Sequence, residues 1–320
     1  MKKNRLTRRT FVRGVLGGAA AAGISLKLHG ADRLARLLEN EMPRRPLGRT
    51  GHEVCLFSLG GQATLEEAGK EDAAVAIIER ALDLGVNYVD TAAAYGRGLS
   101  ETTIGKVMKR RRSEVFLASK THDRTYDGSM KLLERSLQQL QTDHLDLWQL
   151  HNVRTPEDLE KIFAKDGAIK ALEKAREEKL VRFLGITGHR DPLVLKEGIE
   201  RYPFDTLLMA LNAADRHEAS FIDQLLPTAV EKNMGIIGMK VPARGRIFRE
   251  GGISTMKEAM GYVLTLPVST VIVGIGTLEE LEENVRIAQE FQPFTQTEMA
   301  RLEQLTAPYY ADATWFKSSW

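Results

Sequence analysis

The chain is almost without cysteine. Cys55 is the only one in 320 residues, so an intramolecular disulfide, a cysteine-rich zinc site and an iron–sulfur cluster are all excluded. It sits in the apolar run VCLFSLGG, where a thiol is expected as a small buried core residue, and no metal is expected anywhere in the chain. Long apolar runs are missing too. The stretch Gly14–Leu26 is too short and too weakly hydrophobic to stay in a bilayer, so no stable membrane span is expected. Positive charge is absent in excess from the body of the chain. Residues 1–49 carry 12 Lys and Arg against 3 Asp and Glu, which leaves 33 basic and 40 acidic residues in 50–320. A body of net charge −7 does not recruit nucleic acid. Finally, no GxGxxG follows the first apolar run, which weighs against an open, doubly wound dinucleotide-binding sheet.

What is present begins with a basic leader. Arg8 and Arg9 are adjacent, Phe11 follows, and a mild Gly/Ala-rich apolar stretch comes next. The pattern resembles a twin-arginine export signal, which implies the export machinery as a partner and a periplasmic destination. A plain basic tail on a cytoplasmic protein is the alternative. Residues 1–40 are therefore set apart as signal segment and linker, and 41–320 as one domain with an aromatic C-terminal tail.

From there one rhythm holds. Short β-branched apolar runs occur at Val54–Leu59, Asn87–Thr91, Val115–Ser119, Leu145–Leu150, Phe183–Ile186, Thr206–Leu211, Gly235–Val241 and Thr270–Val273. Amphipathic segments of helical period separate them, among them EDAAVAIIERALDLG, SMKLLERSLQQLQ and TPEDLEKIFAKDGAIKALEKAREEKL. Several open with Ser, Thr or Asp ahead of an acidic first turn, as helix starts should. Continuous apolar strands alternating with helices predict a parallel sheet covered on its outer face. Eight such units in about 240 residues fit a closed (β/α)₈ barrel of the α/β class.

Active sites of such barrels lie at the carboxyl ends of the strands. The second strand ends in NYVDTAAAYG, giving Asp90 and Tyr95; the third ends in LASK, giving Lys120; the fourth ends in WQLH, giving His151. Singly, each has an ordinary structural use as a cap, a loop aromatic, a solvated charge or a packed imidazole. Together they fit carbonyl reduction. A phenol with a pKa of about 10 supplies the proton, a nearby ammonium lowers that pKa, Asp90 pairs with the ammonium, and His151 orients the substrate oxygen. No side chain stores electrons, so the hydride must come from a bound cofactor.

Over residues 44–290 the pattern resembles the aldo-keto reductases. RPLGRTGHEV is similar to their N-terminal hairpin, GVNYVDTAAAYGRGLSETTIG to their most recognisable motif, and the later SK and QLH fall at the expected intervals. The resemblance implies Tyr95 as general acid/base with Asp90, Lys120 and His151 as companions. It also implies an extended nicotinamide dinucleotide, NADP(H) or NAD(H), across the barrel top and a small carbonyl or alcohol substrate. Where the family has Ser-Asn on the carboxamide, this chain has ITGHR, so Thr187 and His189 stand in. Lys240 and the following Arg-Gly-Arg loop fit the pyrophosphate. VGIGTLEELEEN resembles the adenosine-binding segment, which puts Gly274, Gly276 and Thr277 near phosphate and Glu283 and Asn284 near adenine. Gly274 and Glu280 occupy the places of a Lys and an Arg that hold a 2′-phosphate in many members, which leans the residues toward NAD. Arg244, Arg246 and Arg286 remain able to reach in. Tyr309, Tyr310, Trp315, Phe316 and Trp320 would line the substrate pocket as a flap or pack on the barrel flank. A non-catalytic, dinucleotide-binding redox-sensing subunit is the alternative function.

Overall fold

The structure, a computed structural model, describes residues 41–319; the leader with Arg8 and Arg9, and Trp320, lie outside the described residues. The chain from Met42 onward forms one compact unit. It opens with an antiparallel hairpin, β1 (Arg44–Pro46) and β2 (Glu53–Cys55). Eight strands follow: β3 (Phe57–Ala63), β4 (Tyr88–Asp90), β5 (Phe116–Thr121), β6 (Leu145–Leu150), β7 (Val181–Gly188), β8 (Thr206–Ala210), β9 (Gly235–Met239) and β10 (Thr270–Ile275). Each pairs in parallel with its successor and β10 pairs with β3, so the sheet closes into the expected (β/α)₈ barrel. Among the described residues no helix is long and apolar enough to cross a membrane.

The run Val54–Leu59, expected as one strand, is two. Val54 and Cys55 belong to the hairpin, and the barrel strand starts at Phe57 after a bend at Leu56, whose N–H bonds to Pro43 O at 3.0 Å. The reason is packing at the barrel's closed end. Leu47 and Val54 are fully buried in the same core cluster as Tyr88, Phe116, Leu147, Leu208 and Ile237, so the hairpin plugs the amino-terminal end of the barrel. Only the opposite mouth remains for ligands. Cys55 is buried in this plug, its Sγ 3.1 Å from Gly85 O, and burial pushes its thiol pKa up; it is a core residue as expected.

The segment 155–180, expected as one helical stretch, is also divided, into Pro156–Ile162 and Ala168–Glu177. The break lets backbone groups bond across to the loop after β5: Ala168 N to Arg124 O at 2.8 Å and Tyr126 N to Asp166 O at 2.7 Å. A continuous helix would have kept those groups for itself. Helix starts follow the capping chemistry read from the sequence. Thr125, Thr155, Asp191, Thr255 and Thr277 each accept a backbone N–H from the first turn of the helix they open.

Candidate active site

Inward positions recur every second residue along a strand, and the last ones before the mouth carry the polar groups. Asp90 ends β4, Lys120 is the penultimate residue of β5, and His151 directly follows β6, its N–H held by Thr121 O at 2.8 Å. Tyr95 lies in a tight turn beyond β4. Gly96 and Gly98 there take φ of 54° and 98°, and a side chain at Gly96 would meet Glu66 O at 2.5 Å, so glycine is required to bring the tyrosine back over the mouth.

The four expected residues meet. Buried Lys120 donates from Nζ to Asp90 Oδ1, to Thr91 O at 2.7 Å and to Tyr95 Oη at 3.4 Å. The ammonium also lies 4.8 Å from the Tyr95 ring centroid, and the Tyr95 and His151 rings meet edge to face at 5.5 Å. All four line one cavity of about 590 Å³ at the barrel mouth.

The electrostatics are set mainly by burial. Burial alone would depress the Lys120 ammonium, but the Asp90 carboxylate and the Tyr95 hydroxyl outweigh it and push its pKa up. Burial also pushes the Asp90 carboxyl up, against the pull of Lys120 and Gln149. Both shifts keep a proton within the pair. His151 is held well below the usual imidazole range by burial and by the positive charge of Lys120, so it is neutral. Tyr95 departs from the sequence expectation. Lys120 does lower its pKa, but burial raises it more, so the phenol lies above its ordinary value. The ammonium limits the shift rather than reversing it.

Comparison with known proteins agrees with this geometry. The model of the aldo/keto reductase family matches residues 56–251. The chain belongs to that family. It is therefore an oxidoreductase that exchanges a hydride between a nicotinamide cofactor and a carbonyl or alcohol group. An uncharacterized oxidoreductase, YqkF, of Bacillus subtilis is 26% identical over 83% of this chain and 97% of its own length. L-galactose dehydrogenase of Arabidopsis thaliana is 28% identical over 85% and 96%. Among solved structures, the holo form of aldo-keto reductase AKR11C1 from Bacillus halodurans superposes with a TM-score of 0.70, at 26% identity over 82% of this chain and 96% of that one.

Of the residues expected to hold the cofactor, Thr187, His189, Lys240 and Gly274 line the same cavity as Tyr95. Gly276, Thr277, Glu283 and Asn284 are not among its walls. Thr277 caps the helix Leu278–Gln289, Glu283 is exposed on it, and Asn284 is buried with its Nδ2 bonded to Glu280 O at 2.8 Å. The residues present suit an anionic dinucleotide. Lys240 directly follows β9 and takes a left-handed backbone (φ 62°), which cuts that strand shorter than expected. Burial together with the charges of Arg244 and Lys120 pulls its pKa down to about 7. Cations crowded enough to depress one another gain when a polyanion arrives. His189, buried among Lys240, Arg154 and Lys120, falls to about 3, chiefly through burial.

Other functional neighbours escaped the sequence reading. Asn152 and Arg154 line the cavity just past His151. With its amide turned to suit its neighbours, Asn152 donates to His189 Nδ1 at 2.9 Å and accepts from Arg154 Nε and Nη2 at 2.8 and 2.7 Å. Asn152 lies two residues and Arg154 four residues past the end of β6, in the loop beyond the strand-end position that held His151. Gln62, near the end of β3, and Glu66, in the turn after it, also face the cavity, 3.3 Å apart, in a stretch with no recognisable motif. Of the aromatic tail, Tyr309, Tyr310, Trp315 and Phe316 do not line the cavity; Trp315 lies 4.8 Å from the Arg246 guanidinium and Phe316 6.3 Å from the His189 ring, and Trp320 lies outside the described residues.

Proposed function

We propose that Tyr95 is the group that exchanges a proton with the oxygen of a small aldehyde, ketone or sugar, and with the corresponding alcohol in reverse. The single observation that carries this is Lys120, which touches Asp90 and Tyr95 at once and so couples an ion pair to the phenol. The bound nicotinamide supplies the hydride. Tyr95 gives its proton to the carbonyl oxygen while the Lys120 ammonium stabilises the phenolate left behind. Asp90 keeps that ammonium charged and in place. Neutral His151 donates one ring N–H to the substrate oxygen and turns the carbonyl toward the hydride. The cavity offers a polar substrate partners: Gln62, Glu66, Asn152 and Arg154 surround the four reacting residues, with Met239, Ile272 and Val273 as apolar wall.

Thr187 and His189 hold the carboxamide in this reading. The Thr187 hydroxyl accepts from Asn152 N at 2.9 Å, which leaves its own proton to donate. Lys240 takes the pyrophosphate, Gly274, Gly276 and Thr277 let backbone approach it, and Glu283 and Asn284 flank the adenine. The dinucleotide is NAD(H) in preference to NADP(H), because the Glu280 carboxylate already accepts the Gly276 N–H at 2.7 Å where an extra phosphate would need a donor. Residues 1–40 are a signal segment and linker, and the twin-arginine route carries the folded barrel to the periplasm with its nucleotide captured beforehand.

Tyr95→Phe tests the assignment. Turnover with a generic aldehyde should fall by at least ~10²-fold, as for loss of a general acid, while cofactor titration changes little. Turnover within a few-fold of the parent sinks it.

A further inference from the structure

Among the described residues, several buried polar side chains of the barrel strands have no part in the reaction just described, and Gln149 is the one that touches Asp90. Gln149 lies on β6 in register with Lys120 of β5 on one side and Gly185 of β7 on the other, and it is fully buried. Its Nε2 donates to Asp90 Oδ2 at 3.1 Å, while Asp90 Oδ1 takes the Lys120 ammonium. The two carboxylate oxygens are thus divided between two partners on neighbouring strands. Gly185 leaves the room for this. A side chain there would come within 2.9 Å of Gln149 Cγ and 2.4 Å of Thr206 Oγ1.

A buried carboxylate with one cationic neighbour can rotate to follow it. Lys120 already reaches Tyr95 at the long end of a hydrogen bond, 3.4 Å, against 2.7 Å to Thr91 O. If Asp90 turned freely, it would draw the ammonium down into the barrel and away from the phenol. A second bond to Oδ2 prevents that rotation. The groups that face this point are Tyr88 below on β4, Lys120, and above it Tyr95, His151 and the Glu66 carboxylate; buried Glu101 lies behind Lys120. None of these others is a hydrogen-bond donor to Asp90 Oδ2, so the task falls to Gln149.

We propose that Gln149 is a positioning residue: it fixes the Asp90 carboxylate so that Lys120 stays against Tyr95. This rests on the reading of Tyr95 as the proton-exchanging group. Hydrogen bonds to buried charged groups are among the stronger ones, and losing this one should be felt in the reaction more than in substrate binding.

The test uses the full barrel with cofactor and compares Gln149→Met, Gln149→Glu and Tyr95→Phe. Gln149→Met cannot donate, so its kcat should fall about tenfold at every pH, with KM moved less. Gln149→Glu carries a proton at low pH and still donates to Asp90. As pH rises it ionises, two carboxylates compete for Lys120, and turnover should decline across a range where the parent does not. A role confined to packing would not make turnover follow the charge at position 149. If Gln149→Met fails to fold, the pH profile of Gln149→Glu decides by itself. A flat profile for Gln149→Glu, or parental turnover in either variant, overturns the proposal. A Tyr95→Phe protein that still turned over would instead defeat the reading beneath it.

Discussion

The proposed preference for NAD(H) rests on one side chain, Glu280, that does not touch the chemistry. It is exposed, yet its carboxylate bonds to the Gly276 N–H at 2.7 Å beside the start of the helix Leu278–Gln289, where a helix attracts negative charge. The chain thereby supplies its own anion. No basic residue lies between Gly274 and Asn284 to draw in a second one. Glu280→Arg should free the amide, reverse the local charge and move the ratio of dissociation constants toward NADP(H) by about fivefold, roughly 1 kcal/mol at an exposed site. Titration of parent and variant with both nucleotides checks this. A parent that already binds NADP(H) far more tightly would show that Arg244, Arg246 or Arg286 supplies the phosphate site. The missing basic residue was legible in the sequence. The bond to Gly276 was not, because whether a glutamate four residues on turns back to a particular amide is a matter of loop shape.

The C-terminal segment acts as one element. Tyr309 Oη donates to Ile247 O and accepts from Ile253 N, both at 3.0 Å, and Arg249 pairs with Asp312 at 2.8 Å. Those bonds tie the segment to the loop after β9 that carries Arg244 and Arg246. Its anchor is Lys317, nearly buried, 2.7 Å from Asp215 Oδ1 and bonded as well to Asp215 O, Glu218 O and Ala219 O. Burial pushes the Asp215 carboxyl up, and Lys317 pulls it down. Lys317→Met leaves Asp215 buried without its counter-charge, which should cost about 3–5 kcal/mol near neutral pH. The sign of the pH effect follows. Without Lys317 the Asp215 carboxyl pKa rises further, the variant's deficit is greatest above that pKa, and it shrinks as pH falls and the carboxyl is neutralised. Urea unfolding at pH 5 and pH 8 measures it; equal deficits at both would contradict the assignment. In the sequence the tail was a cluster of aromatics that fitted a pocket wall or a flank equally well. The pairing of Lys317 with Asp215, 102 positions away, decides for the flank, and no local pattern encodes so distant a partner.

At the scale of the whole molecule, the proposed export route and the non-covalent cofactor constrain each other. A nucleotide captured in the cytoplasm crosses only with a folded protein, so the exported form should purify with nucleotide bound. Replacing Arg8 and Arg9 together with Lys should retain the protein in the cytoplasmic fraction. Identical fractionation of both forms would remove the export proposal, and an exported protein free of nucleotide would separately remove the claim that cofactor travels with it. The barrel itself was open to sequence reading because strand and helix periodicities are local, and so is the rule that function gathers at the carboxyl ends of the strands. Asp90, Tyr95, Lys120 and His151 were read that way, from three successive strand ends. What the sequence by itself determined is therefore the fold, the family and which four polar residues the strand ends bring to the barrel mouth. Only the tertiary structure decided that burial lifts the Tyr95 pKa despite Lys120, that Val54 and Cys55 belong to a plug and not to the barrel, and that Gln149 reaches Asp90 across the interior. Desolvation and cross-strand contact depend on which residues surround a group in space, and that arrangement exists only once the barrel has closed.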